Sequence, residues 1–172
     1  MLKLVGSMVT IGAATLLGAY AAAELEAAYQ EMLYLNRLIA MLRGEIRYTR
    51  SILSHIFLKI SKEAKKPYDA WLGQMCIRME SRKGGSFDEI WRETAAVYLG
   101  DSKLPRRERR KLEELGTLLG NADVEVQINH LQSYQEQLAL SIQDMRAEIQ
   151  NKKKLCRCMG VIGGIFIAVL LI

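Results

Sequence analysis

The sequence has few of the residues that break helices or that build metal and disulfide sites. Its 172 residues include two prolines, two histidines and three cysteines. No stretch alternates apolar with polar residues as a half-buried strand does, so we predict helix almost everywhere. The odd number of cysteines is untypical of a secreted disulfide framework and favours a reducing compartment.

These rare residues also lack the spacing that catalysis or metal binding requires. His55 and His130 have no cysteine or carboxylate at metal-ligand spacing on their own helices, so we expect solvated or partly buried histidines. Cys156 and Cys158 lack the paired spacing of a structural zinc site, and we favour ordinary apolar contacts over acylation for them. The Gly84-Gly85 pair lacks the lysine or threonine that follows a phosphate-binding loop. We therefore predict no catalytic residue, no cofactor, no metal site and no enzyme activity.

Apolar residues crowd both ends of the chain, whereas charged residues fill its middle. The run from Leu4 to Ala23 carries no charge, and about 20 residues of helix span about 30 Å, the thickness of a bilayer core. The run from Leu155 to Ile172 contains one charge, Arg157, which lies close enough to the start to reach the headgroups. Both runs are typical of transmembrane helices.

This distribution predicts three segments. Residues 1–24 form a transmembrane helix, residues 25–154 a helical soluble domain, and residues 155–172 a second transmembrane helix. A cleaved signal peptide is the alternative for the first run, because Ala21-Ala22-Ala23 resembles a small-residue cleavage site.

A basic cluster at the start of the second apolar run indicates on which side of the membrane the central domain lies. We predict that its four residues lie at the membrane interface: Lys152, Lys153, Lys154 and Arg157. Positive charges beside a span favour the cytoplasmic side, so we expect the central domain in the cytoplasm. Lys3 before the first run points weakly the other way. The alternative is an extracytoplasmic, membrane-anchored binding protein.

Two segments of the central domain have apolar residues at alternating spacings of four and three, which is typical of helices in bundles. The first comprises Leu35, Ile39, Leu42, Ile46, Thr49, Leu53, Ile56 and Ile60. The second comprises Ile128, Leu131, Gln135, Leu138, Ile142, Met145 and Ile149. We predict two long antiparallel helices, of which the first ends near Pro67 and the second begins near Asp123.

Shorter helices are predicted between the two long ones. One runs from Tyr68 to Arg82, and a capping box of Ser86 with Glu89 opens the next. A third begins after Pro105 and carries leucines up to Gly120. The tryptophans and methionines of this region are expected in the bundle core rather than in a cofactor pocket. The predicted fold is therefore all-α, an antiparallel bundle of about five or six helices with a membrane span on each side.

The strongest charge cluster lies in the third short helix, in a chain whose net charge is +5. Its basic residues are Arg106, Arg107, Arg109, Arg110 and Lys111. One interpretation is a solvated helix face, partly matched by Glu108 and the glutamates that follow. The other is a surface that binds an acidic partner or an anionic lipid. Nucleic acid is disfavoured because no aromatic residues interleave with the basic ones.

Several of these motifs together resemble the stage III sporulation protein AB family. The first stretch is Leu104-Pro105 followed by Leu112-x-x-Leu115-Gly116-x-x-Leu119-Gly120-x-x-Asp123-x-x-x-Gln127. The second is Glu148 followed by Lys152-Lys153-Lys154 and Gly160-Val161-x-Gly163-Gly164. The resemblance covers the whole chain, and its Leu-Gly-x-x-Asp-x-x-x-Gln run is the most specific part.

The resemblance implies a function that composition and spacing do not. The soluble part of that family is similar to the helical cytoplasmic domain of the inner-membrane platform protein of type II secretion machines. It implies a platform subunit of a channel between mother cell and forespore, in the mother-cell membrane facing the forespore. The implied partners are a secretion-type ATPase and other channel subunits. The platform protein has two repeated domains, so this chain would match it only as a dimer, which the sequence leaves open.

Overall fold

The computed structural model describes the backbone of residues 2–49, 52–81, 85–120 and 123–171, and side chains within residues 18–155 except Ala19. These residues form six α-helices and no strand. The helices are α1 (Leu2–Thr49), α2 (Leu53–Ser61), α3 (Tyr68–Glu80), α4 (Phe87–Leu99), α5 (Arg106–Leu119) and α6 (Val124–Leu171). The predicted all-α fold is confirmed.

The chain divides into two compact units. A central unit comprises Gln30–Ser141, and a terminal unit comprises Met1–Tyr29 together with Ile142–Ile172. The two long helices, α1 and α6, contribute residues to both units. The short helices α2 to α5 lie entirely in the central unit.

Most of the two predicted membrane spans lies outside the residues whose side chains are described. The first apolar run lies within α1 and residues 155–171 of the second lie within α6, but the side chains of residues 1–17 and 156–172 are outside the described part. In the part of the chain that is described, no helix is long and apolar enough to cross a membrane. The two spans remain predictions from the sequence.

The predicted single helix from the first apolar run to Pro67 is wrong, because the chain leaves the helix after Thr49 and starts α2 at Leu53. Ile52 is extended, with φ −62° and ψ 138°. The four-and-three spacing continues across this break, so periodicity alone does not reveal it. Thr49, Ser51 and Ile52 all have weak helix propensity, which favours a break at this point.

Both predicted apolar segments lie in the core. The buried positions of the first are Leu35, Ile39, Leu42, Ile46, Ile56 and Ile60, and those of the second are Ile128, Leu131, Leu138, Ile142 and Ile149. Within the central unit, the side-chain amide of Gln135 donates to the Asn36 carbonyl at 3.2 Å, while Ile46 shares a cleft with Ile128. The pairing of rising with falling residue numbers shows that α1 and α6 are antiparallel there.

Aromatic side chains fill the core between the short helices α2, α3 and α4. Trp71 and Trp91 are fully buried and meet edge to face, with ring centroids 4.8 Å apart and planes at 76°. Phe57 and Phe87 lie against Trp91 at 6.1 and 5.8 Å. Such pairs contribute about 0.5–1.5 kcal/mol each beyond their buried area. With Met75 also buried, the predicted core is confirmed for both tryptophans and for this methionine, whereas Met79 is half-buried.

The predicted capping box at the start of α4 is present. The Ser86 backbone N–H donates to the Glu89 carboxylate at 3.1 Å, which satisfies a backbone group that the helix leaves free. The Ser86 hydroxyl donates to Asp88 at 2.5 Å, and this hydrogen bond lowers the pKa of the Asp88 carboxyl. Gly85 has a φ of 81°, a backbone conformation that residues with a side chain rarely adopt. This turn therefore fixes where α4 begins.

Candidate docking face on helix α5

Helix α5 presents two faces that differ in chemistry. Its outer face consists of the exposed residues Arg106, Arg107, Arg110, Glu114, Thr117 and Leu118. Its inner face consists of the buried residues Glu108, Leu112, Leu115, Gly116 and Leu119. Both sets recur every three or four residues, as one helix requires. The basic run predicted as a single docking surface is therefore divided between two sides.

The acidic residue of this run, Glu108, faces inward and is 3% exposed. The Lys111 ammonium donates to its two carboxylate oxygens at 3.0 and 3.2 Å, and the Ser141 hydroxyl of α6 donates at 3.1 Å. Burial, and next the nearby Glu108 charge, raise the pKa of Tyr134. Glu108 therefore matches one basic residue of the cluster, Lys111, as the interpretation of a solvated face had it, but it does so inside the bundle and not on a solvated face.

Arg109 also points away from the outer face. Its guanidinium donates to the Gly100 carbonyl at 2.6 Å and to the Leu104 carbonyl at 3.3 Å. Gly100 is the C-cap of α4, where helix carbonyls lack intrahelical partners. Arg109 therefore stabilises the connection between α4 and α5. Of the five basic residues predicted to bind a partner, Arg109 and Lys111 are engaged within the chain.

The three remaining arginines, Arg106, Arg107 and Arg110, are exposed. They lie in the first turns of α5, where the helix dipole already contributes positive potential. The one acidic residue of the first turn is Glu108, which Lys111 neutralises. Arg110 contacts Glu114 at 3.6 Å, with side chains 78% and 68% exposed, and such exposed pairs contribute only about 0–1 kcal/mol. The start of α5 is therefore a positive surface.

Two contacts hold α5 against its neighbours. The Trp91 indole N–H donates to the Leu112 carbonyl at 2.7 Å, and the Gln127 amide donates to the Leu119 carbonyl at 2.8 Å. Gly116 lies directly under the Trp91 ring, where a Cβ atom would overlap with it. Gly116 and Gln127, which carried the resemblance in the sequence, thus have structural roles on the inner side of α5.

The predicted membrane-interface residues are exposed where they are described. Lys152 contacts Glu148 at 2.8 Å and Lys153 contacts Glu26 at 3.3 Å, both within the terminal unit. Lys154 is exposed, and Arg157 lies outside the described side chains. Their role at a membrane surface stays a prediction.

Within the described part of the chain, no three histidine, cysteine, aspartate or glutamate residues come together as metal ligands. Cys76 is buried and free, and burial together with a 3.5 Å hydrogen bond to Glu80 raises the pKa of its thiol. A raised pKa disfavours the reactive thiolate.

Comparisons with known proteins agree with the resemblance in the sequence. One solved structure, of a stage III sporulation protein AB, superimposes with a TM-score of 0.65 at 18% identity. The match covers 72% of this chain and 97% of that one, and it shows a common fold. No curated protein matches. The model of the family described as stage III sporulation protein AB matches residues 3–172. The chain therefore belongs to the stage III sporulation protein AB family.

Proposed function

We propose that the chain is a non-enzymatic, membrane-anchored platform subunit of a secretion-like channel between mother cell and forespore. In this proposal a secretion-type ATPase binds the outer face of α5 through Arg106, Arg107 and Arg110. Membership of a sporulation family supports the sporulation setting. The ATPase and the channel follow from the family's likeness to secretion platform proteins.

The observation that carries the docking role is the separation of charge across α5. Glu108 is buried and paired with Lys111, whereas the three arginines are exposed. A surface that binds acidic groups is strengthened when its own carboxylate, Glu108, is turned inward. A helix face that is merely solvated gains nothing from this arrangement. Exposed positive charge accelerates association with a partner of opposite charge and makes binding sensitive to salt. Of the three arginines, Arg110 is partly matched by the exposed Glu114.

The proposed setting has the central unit in the cytoplasm and a span at each end. The uncharged run from Leu4 to Ala23 and the lysines at 152–154 support this arrangement. An ATPase that consumes cytoplasmic nucleotide reaches the arginines only on that side. The docking role therefore requires the cytoplasmic side, whereas the cytoplasmic side does not require the docking role.

Charge reversal tests the docking role. We expect the triple variant Arg106→Glu, Arg107→Glu, Arg110→Glu to weaken ATPase binding at least about 30-fold, about 2 kcal/mol, and to flatten its salt dependence. The matched control reverses three exposed cations elsewhere in the central unit: Arg37, Lys62 and Lys66. The assay is biolayer interferometry with the full chain in nanodiscs. Unchanged affinity in the triple variant, or equal loss in the control, refutes this site.

Thiol labelling tests the membrane side. A cysteine at exposed Lys62, with the native cysteines replaced, is treated with an impermeant reagent on intact cells. Protection before lysis and labelling after it are expected for a cytoplasmic central unit. Labelling of intact cells instead supports an extracytoplasmic binding protein and excludes contact with a cytoplasmic ATPase.

A further inference from the structure

A solvent-open groove of about 260 Å³ lies between α4 and α5. We call it the charged groove. Its charged lining residues are Asp88 and Arg92 from α4 and Arg110, Glu113 and Glu114 from α5. Arg110 and Glu114 also belong to the outer face of α5. The charged groove is therefore part of the surface that carries the arginines of the proposed docking site.

Positive and negative charges lie at different ends of this surface. The helices α4 and α5 are antiparallel, because the Arg109 side chain donates to the end of α4 at Gly100, whereas Gly120 lies against Phe87 at its start. Asp88, in the first turn of α4, therefore lies toward the end of α5. The basic end of the surface contains Arg92, Arg106 and Arg110, and the acidic end contains Asp88, Glu113 and Glu114.

Ion pairs within the chain leave one charge of each sign unmatched along α5. One pair in α4 and one in α5 join their charged atoms at 3.3 and 3.6 Å, but both are accessible to solvent and contribute little. Within the described part of the chain, neither Arg106 nor Glu113 forms an ion pair. These two residues stand seven positions apart on one side of the helix, about 10 Å along its axis. The surface therefore offers both an unmatched cation and an unmatched anion.

We propose that this surface binds a segment of the ATPase that carries both signs of charge, with acidic residues against Arg106 and Arg110 and a basic residue against Glu113. This inference rests on the proposed function and identifies the order of charges in the partner segment. A purely acidic segment is repelled at the acidic end, because like charges placed together across an interface oppose binding. A mixed segment satisfies both ends in one direction only. The charged groove thereby fixes the orientation in which the partner docks.

Charge reversal at Glu113 distinguishes this inference from docking through arginines alone. A surface that only attracts acidic groups binds more tightly when Glu113→Lys adds positive charge. A surface that holds a basic residue of the partner binds more weakly, because the new lysine repels that residue. The matched control is Glu136→Lys, which makes the same change of charge at an exposed position on α6. The probe is the purified secretion-type ATPase, measured by biolayer interferometry against the full chain in nanodiscs.

We expect Glu113→Lys to raise the Kd at least about tenfold, while the control binds like the natural chain. Tryptophan fluorescence during heating checks that both variants fold. If the half-buried position of Glu113 does not accept lysine, Glu113→Gln replaces it, and the Kd should rise at least about threefold. A lower or unchanged Kd, or an equal loss in the control, overturns the inference.

The outcome is distinct from that of the triple arginine variant. If reversal at the three arginines weakens binding while Glu113→Lys strengthens it, the proposed function stands and only the inference fails. If the triple variant binds normally, the docking role fails and the inference fails with it.

Discussion

Replacing Gly116 with alanine tests whether α4 and α5 touch as closely as the structure has them. A Cβ at this position would lie 2.8 Å from the Trp91 Cβ and closer still to two atoms of the indole ring. Because the Trp91 Cβ itself is in the way, rotation of the side chain does not relieve the overlap. Alanine therefore forces the two helices apart.

The expected magnitude follows from opposing effects. Alanine in a helix interior is favoured over glycine by about 1 kcal/mol. Against this, overpacking a core costs about 1–3 kcal/mol, and separation of the helices stretches the 2.7 Å bond from Trp91 to the Leu112 carbonyl, a loss of about 1 kcal/mol. Since the clash involves a backbone-proximal atom, we take the upper end and expect a net loss of about 3 kcal/mol. This corresponds to a fall in Tm of about 10 °C.

The control is Gly73→Ala in α3, where a Cβ would meet nothing within 4 Å. There the helix preference acts alone, and we expect a gain of about 0.5–1 kcal/mol. The chain contains two tryptophans, Trp71 and Trp91, both in the core of the central unit, so their fluorescence during heating reports on that unit. If Gly116→Ala raises the Tm as Gly73→Ala does, the close contact of α4 with α5 is wrong.

Further perturbations probe polar groups inside the central unit. Glu108→Ala leaves the half-buried Lys111 and the Ser141 hydroxyl without their acceptor. Chemical denaturation should show that the free energy of unfolding falls by about 2–4 kcal/mol. An unchanged free energy would mean that the carboxylate is solvated. Arg109→Ala removes two hydrogen bonds to carbonyls and should cost about 1–2 kcal/mol, whereas Arg107→Ala, at an exposed position, should cost nothing measurable by the same method. Burial raises the pKa of Tyr68 and Tyr134 in the folded chain. As the pH rises, the unfolded chain therefore loses these protons before the folded chain does. The free energy of unfolding should then fall above pH about 10, by up to about 1.4 kcal/mol per pH unit for each tyrosine. Tyr134→Phe should remove one such contribution from the alkaline slope measured by denaturation, and an unchanged slope would contradict the buried position of its hydroxyl.

Much of the central unit follows from spacing in the sequence. The four-and-three pattern identified the buried sides of α1 and α6, and local chemistry identified the start of α4 at Ser86 and the end of α5 at Gly120. These features depend on neighbours along the chain, which a sequence displays directly. The break after Thr49 was missed because α2 continues the same spacing in a new direction.

The candidate site was less accessible to prediction. A run of basic residues does not reveal which of them turn inward, because Arg109 is placed by its contact with the Gly100 carbonyl, which only the fold creates. Lys111 follows Glu108, which lies three residues before it in the same helix. The burial of Glu108 did have a signal in the sequence. It stands four residues before Leu112 and seven before Leu115, on the apolar side of the helix.

The two hydrogen bonds between α5 and α6 have a mechanical consequence. Ser141 holds α5 near its first turn through Glu108, and Gln127 holds it at its last turn through the Leu119 carbonyl. A helix that is hydrogen-bonded to its neighbour near both ends cannot rotate about either contact alone. With both ends held, a force applied to α5 would displace α6 as well, because α5 could not rotate alone. Since α6 continues to Leu171, this helix is the element along which such a load would travel.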